Sequence, residues 1–177
     1  AVYRLGILKQ YQIERILTFI DPSRDPLGQG YHLTQSKIAL GSGGLTGKGY
    51  MEGSQSQLKF LPEMQTDFIF TIFGEEFGFV GAVALLILYL CVIYTGVSIA
   101  LGAKTHYARM AAMGVICTFT FYVMINTGMV MGLAPVVGVP LPLVSYGGTM
   151  MLTIMAGFGL VMSAYVSRSD EGLGRGF

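Results

Sequence analysis

Charge is almost missing from the second half of this sequence. Between Phe77 and Val166 the only formally charged residues are Lys104 and Arg109. That scarcity excludes a soluble helical domain over the stretch, because a soluble helix needs a polar face. Cysteine is scarce too. Cys91 and Cys117 both fall inside apolar runs, which excludes a disulfide framework and any zinc-ligand spacing. Acid is absent from 102–109, and charge of either sign from 134–146. No signal peptide is expected at the start, since Ala1–Leu8 soon turns polar. The chain reads as one that begins midway through a larger protein.

What remains is apolar. Three runs are long enough to cross a bilayer: Phe77–Leu101, Ala111–Leu133 and Gly147–Val166. The expected fold is therefore all-α, a polytopic membrane protein with three transmembrane helices and a large extracytoplasmic loop before them. Three regions follow: an outer part at 1–76, a membrane domain at 77–166 and a tail at 167–177. The link between the first two spans holds Lys104, His106 and Arg109. By the positive-inside rule that link is cytoplasmic. The region before span one and the 134–146 link are then outside, and the tail with Arg168 and Arg175 ends in the cytoplasm.

The outer region is more varied. Ile13, Ile16, Leu17 and Ile20 repeat at helical spacing among polar residues, up to a stop at Asp21-Pro22. That is an amphipathic helix for the membrane surface. Asp25-Pro26-Leu27-Gly28 reads as a turn, and Gln35–Leu40 as a short helical piece. The following GSGGLTGKG, Gly41–Gly49, is not a P-loop, which would need Gly at Ser42 and Ser or Thr at Gly49. A flexible linker is the plainer reading. The alternative is that glycine amides approach a diphosphate while Lys48 supplies positive charge. Gln55 and Gln57, in a run of hydrogen-bonding side chains, suit either sugar binding or a solvated loop.

Leu61–Phe70, LPEMQTDFIF, carries Glu63 and Asp67 four residues apart, on one face if the segment is helical. A carboxylate where water meets hydrocarbon loses solvation and tends toward a range where it accepts a proton from a hydroxyl. The plain alternative is acids complementing a helix N-terminus. The loop APVVGVPLPLVSY is apolar but broken by Pro135, Pro140 and Pro142, so it is either a re-entrant lid or a stiff connection. Asn126 is the one strongly polar side chain in the spans and reads as glue between helices. Gly74/Gly78 and Gly128/Gly132 offer small-residue faces for helix packing.

LPEMQTDFIF followed by GEEFGFVG, together with NTGMVMGLAPVVGVPLPLVSYGG, resembles the C-terminal half of a SEDS protein (shape, elongation, division and sporulation). Val136-Val137-Gly138-Val139 and SQSQLKFLPE are closer to the RodA type than to the FtsW type. The resemblance covers about Lys9 to Ser163. It implies a peptidoglycan glycosyltransferase of the bacterial inner membrane, with a fold of about ten helices of which this chain supplies the last three. The N-terminal half of that fold, which completes the cavity, would be a partner or a missing part. The implied substrate is lipid II. The implied partners are a class B penicillin-binding protein and other elongation-complex membrane proteins, with no nucleic acid.

The family's essential aspartate falls on Asp67. Lys48, Glu63 and Ser145 match family positions as candidate substrate contacts beside Gln55 and Gln57, and Glu75 and Glu76 are left without a role. A divalent cation, Mg or Mn, is an implied cofactor with no certain ligand set. The expected reaction uses Asp67 as general base for the acceptor sugar hydroxyl. The rival readings are a lipid II flippase, which would use ionisable residues within the spans, and a non-catalytic scaffold of the elongation complex.

Overall fold

The computed structural model of the chain describes residues 10–21, 25, 28–50, 52 and 66–173. Among them are five helices: α1 Gln10–Ile20, α2 Gln29–Ser42, α3 Ile69–Gly102, α4 His106–Met131 and α5 Gly148–Leu173. There is no strand among the described residues. The helices α3, α4 and the 148–167 part of α5 are each long and apolar enough to cross a membrane. Each leaves large apolar side chains exposed, such as Leu88, Tyr94, Phe121 and Leu152. That is what lipid, or further helices, would cover. This is an integral membrane protein.

The helices differ from the sequence expectation in ways that matter for the site. α2 is longer than the expected 35–40 piece, because Leu33, Ser36 and Ala39 make a buried stripe down it. Ser36 Oγ donates to the Val130 carbonyl at 2.8 Å. Its single proton thus spent, it accepts from Thr71 Oγ1 at 3.1 Å. One hydroxyl therefore ties α2 to both α3 and α4. α1 is amphipathic as expected, with Ile16, Leu17 and Ile20 exposed.

Span one does not start at Phe77. α3 begins at Ile69 and is broken at Gly78, whose φ of 68° and ψ of −164° lie outside helical space. The expected boundary at 76/77 thus marks the break within a helix. The glycine-rich segment docks there as ordered backbone, so the linker reading does not hold. Lys48 N–H donates to Glu75 O and Gly49 N–H to Glu76 O, both at 3.1 Å. In return Phe79 N–H donates to Gly44 O at 2.9 Å, and Val80 N–H to Leu45 O at 3.1 Å. These bonds satisfy groups that the break strips of helical partners. Contact is so close that a Cβ on Gly47 would overlap the Glu76 carbonyl, and one on Gly78 the Gly47 nitrogen. Gly74 likewise leaves room for Leu40, so the Gly74/Gly78 pair does serve close packing, against α2 and its loop.

In the Gly128/Gly132 pair, Gly132 also serves close packing, since a Cβ there would overlap Lys37 of α2, and it has a second purpose. Gly132 is left-handed (φ 74°, ψ 27°) and ends α4, with Leu133 N–H returning to Gly128 O at 2.7 Å. At the far end Thr105 caps α4 by accepting from Ala108 N–H at 3.2 Å. α5 continues past the expected tail boundary at 167 as far as Leu173. The core has two parts. Phe68, Phe70, Tyr89, Phe119, Val123, Met129, Val130 and Leu141 pack at the end that carries 66–68 and 132–147. Ala100, Ala112, Ile116, Val161 and Ala164 pack at the other.

Candidate active site

Asp67 lies in a turn at 66–68, immediately before α3. The helical premise for a shared Glu63–Asp67 face therefore fails at Asp67, while Glu63 lies outside the described residues, as do Gln55 and Gln57. The turn is held from below. Asn126 of α4 is fully buried, and its Nδ2 donates to the Asp67 carbonyl at 2.8 Å and to the Val139 carbonyl at 2.6 Å. Ser145 Oγ donates to the Thr66 carbonyl at 2.5 Å and accepts from Leu141 N–H at 2.7 Å. The sequence puts Asp67 and the 134–146 loop on one membrane face. The structure joins them through the side chains of Asn126 and Ser145.

The loop descends among the helices. Leu141 and Pro142 are buried, and Tyr89 Oη donates to the Pro142 carbonyl at 2.5 Å. Tyr89 is about three helical turns beyond Gly78, on the order of 16 Å at 1.5 Å per residue. Irregular backbone among spanning helices survives where protein surrounds it, as it does at Leu141 and Pro142. The descent closes on itself through Ser145 N–H to Leu141 O at 3.0 Å. Leu143 within that turn has φ 66°, a conformation that costs a bulky side chain roughly 1–3 kcal/mol.

Gly138, at φ 72°, brings the loop against the acid: a Cβ there would stand 3.1 Å from Asp67 Oδ2. From α1, Arg15 Nη1 reaches the Val137 carbonyl at 3.4 Å. A guanidinium, a carboxylate and a glycine-opened loop thus share one end of the bundle. Lys104, on the α3–α4 link, and Arg109, in the first turn of α4, are at the opposite end.

Lys48 and Ser145 both make contacts within the chain. Lys48 Nζ pairs with Glu75 Oε1 at 2.8 Å, and Glu75 is fully buried. The ammonium is thereby engaged at the helix break. Both the donor and an acceptor site of Ser145 are used by backbone. Among the described residues no three His, Cys, Asp or Glu side chains group into a metal site. The larger of two described grooves, about 830 Å³, runs between α4 and α5 and is lined by residues such as Gly114, Thr118, Tyr122, Thr153 and Gly157. It is uncharged, and Asp67 does not border it.

Residues 1–170 match the family model described as cell cycle protein, FtsW/RodA/SpoVE. The chain belongs to that family. Within this SEDS family it is of the RodA type. It is 54% identical over 162 residues to the Escherichia coli K12 peptidoglycan glycosyltransferase MrdB, covering 92% of this chain and 44% of that protein. It is 46% identical to the Treponema pallidum peptidoglycan glycosyltransferase RodA, covering 89% and 36%. In structure it is similar to a chain described under structural coordination of polymerization and crosslinking by a peptidoglycan synthase complex. There the TM-score is 0.73 at 34% identity, over 91% of this chain and 43% of that one. The SEDS chain thus spans less than half the length of the relatives it matches.

Two features of the site were not legible in advance. Asn126 reads from sequence as helix glue, whereas its partners are two carbonyls of the site. Its isolation as a lone amide in an apolar run was the available signal. The role of Gly138 depends on the path of a loop that no periodicity describes.

Proposed function

We propose that the chain is the catalytic-loop part of a RodA-type peptidoglycan glycosyltransferase that polymerises lipid II for cell elongation. The observation that carries this reading is the placement of Asp67, whose backbone turn is held by buried hydrogen bonds and whose carboxylate stands against the 134–146 loop at Gly138. In the proposed reaction the 4-hydroxyl oxygen of the acceptor sugar attacks the anomeric carbon of the donor. A carbon–oxygen bond forms there, the bond to the lipid diphosphate breaks, and the hydroxyl proton passes to Asp67. A positioned base of this kind is worth ~10²–10⁴ in rate.

The departing diphosphate carries negative charge that must be met by cations or dipoles. Arg15, whose guanidinium reaches the Val137 carbonyl, is a described cation on the loop that meets Asp67. A Mg or Mn ion would fit Asp67 as a single carboxylate ligand, taking the rest of its shell from phosphate and water. When bound it would neutralise diphosphate charge. We further propose that the Asp67 end faces outward from the bacterial cytoplasmic membrane. Lys104 and Arg109 would face the cytoplasm. The partner would be a class B penicillin-binding protein, consistent with the synthase complex among the structural relatives.

Liposomes holding the complete protein and its partner, supplied with lipid II, test the function. Glycan strands are the expected product. Transfer of lipid II between leaflets with no strand formation would replace this reading with a flippase.

A further inference from the structure

We infer that Asn126 is a positioning residue for glycosyl transfer, setting the Asp67 carboxylate against the 134–146 loop. The inference rests on the proposal that Asp67 is the base. The two protons of the Asn126 amide go to carbonyls on two segments, Asp67 O at 2.8 Å and Val139 O at 2.6 Å. One rigid, planar group therefore spaces the turn from the loop. Holding the Asp67 carbonyl fixes the peptide plane that follows it, and so the direction in which the Asp67 Cα–Cβ bond points. Holding Val139 fixes its neighbour Gly138, where the carboxylate stands.

The remaining atom of the amide argues against a purely stabilising role. Asn126 Oδ1 is buried without a hydrogen-bond partner among the described residues, a state that ordinarily counts against stability. An apolar side chain would avoid that loss but leave both carbonyls without this donor, and a serine hydroxyl could serve only one of the two. Asparagine at this depth suits a group whose value is the separation it imposes.

The test uses the complete polymerase in proteoliposomes with lipid II, comparing Asn126→Ala and Asn126→Ser with the unaltered protein. For Asn126→Ala we expect kcat to fall about 10²-fold, the cost of roughly 1 Å of misplacement, with KM for lipid II within about threefold. Asn126→Ser keeps one donor, so an intermediate kcat is expected, and it supplies the measurement if the alanine variant does not fold. Unchanged kcat, or a loss confined to KM, would overturn the inference. A readout specific to positioning is the pair with Asp67→Glu, whose longer side chain already abandons the native placement. Adding Asn126→Ala to Asp67→Glu should then cost less than about fivefold more, since residues acting as one unit are not additive. A second full loss would show that Asn126 acts independently of Asp67. The two readings fail separately: an active Asp67→Asn variant removes the base, whereas an inactive Asp67→Asn beside a fully active Asn126→Ala removes only the positioning role.

Discussion

Asp67 and Gly138 meet at one end of the bundle, with Oδ2 of the acid 3.1 Å from where a glycine Cβ would stand. The left-handed φ of Gly138 and this proximity both act against a side chain. Gly138→Ala should therefore displace either the loop or the carboxylate. We expect polymerisation to fall by about 10²-fold while the helices remain folded, measured by strand synthesis beside circular dichroism. Unchanged synthesis would mean that the contact has no part in the reaction.

Lys48 and Glu75 distinguish packing from substrate binding. Loss of one partner of a buried ion pair costs about 3–5 kcal/mol, an upper range here because Lys48 is 30% exposed. Lys48→Met should lower the thermal midpoint in detergent. Were Lys48 a diphosphate ligand instead, KM for lipid II would rise with the midpoint unchanged.

The docked glycines make a steric prediction. Gly47→Ala and Gly78→Ala place a methyl into opposing backbone at a positive φ, whereas Gly41 has open space around it. Detachment of the loop from the α3 break should appear as faster amide exchange at 44–49 in both variants. Gly41→Ala should leave exchange unchanged, or slow it by up to about 1 kcal/mol of helix propensity.

Tyr89 anchors the 134–146 loop. Tyr89→Phe leaves the buried Pro142 carbonyl without this donor, at a cost of about 1–3 kcal/mol. Protease sensitivity within 134–146 should rise. Equal sensitivity would show that the loop is held without this bond.

The sequence carries the membrane architecture in plain form, since three long apolar runs separated by short links have few other outcomes. It carries Asp67 through the motif around it. It does not carry the start of span one, because Ile69–Glu76 mixes acids with apolar residues, and in the fold Lys48 pairs with Glu75 while the glycine loop satisfies the broken backbone at Gly78. Such long-range pairing leaves no periodic trace. Likewise Ser145 lies in a motif that suggests contact with substrate, yet its hydroxyl is spent on Thr66 and Leu141. Residue type identifies a hydrogen-bonding group but not which partner it takes.

The most direct measurement is the strand-forming rate of the complete protein carrying Asp67→Asn, an isosteric change that keeps the turn and removes the proton-accepting charge. The account predicts a loss of at least ~10²-fold, the lower bound for a general base, with the thermal midpoint and partner association unchanged. Synthesis at the unaltered rate would contradict it.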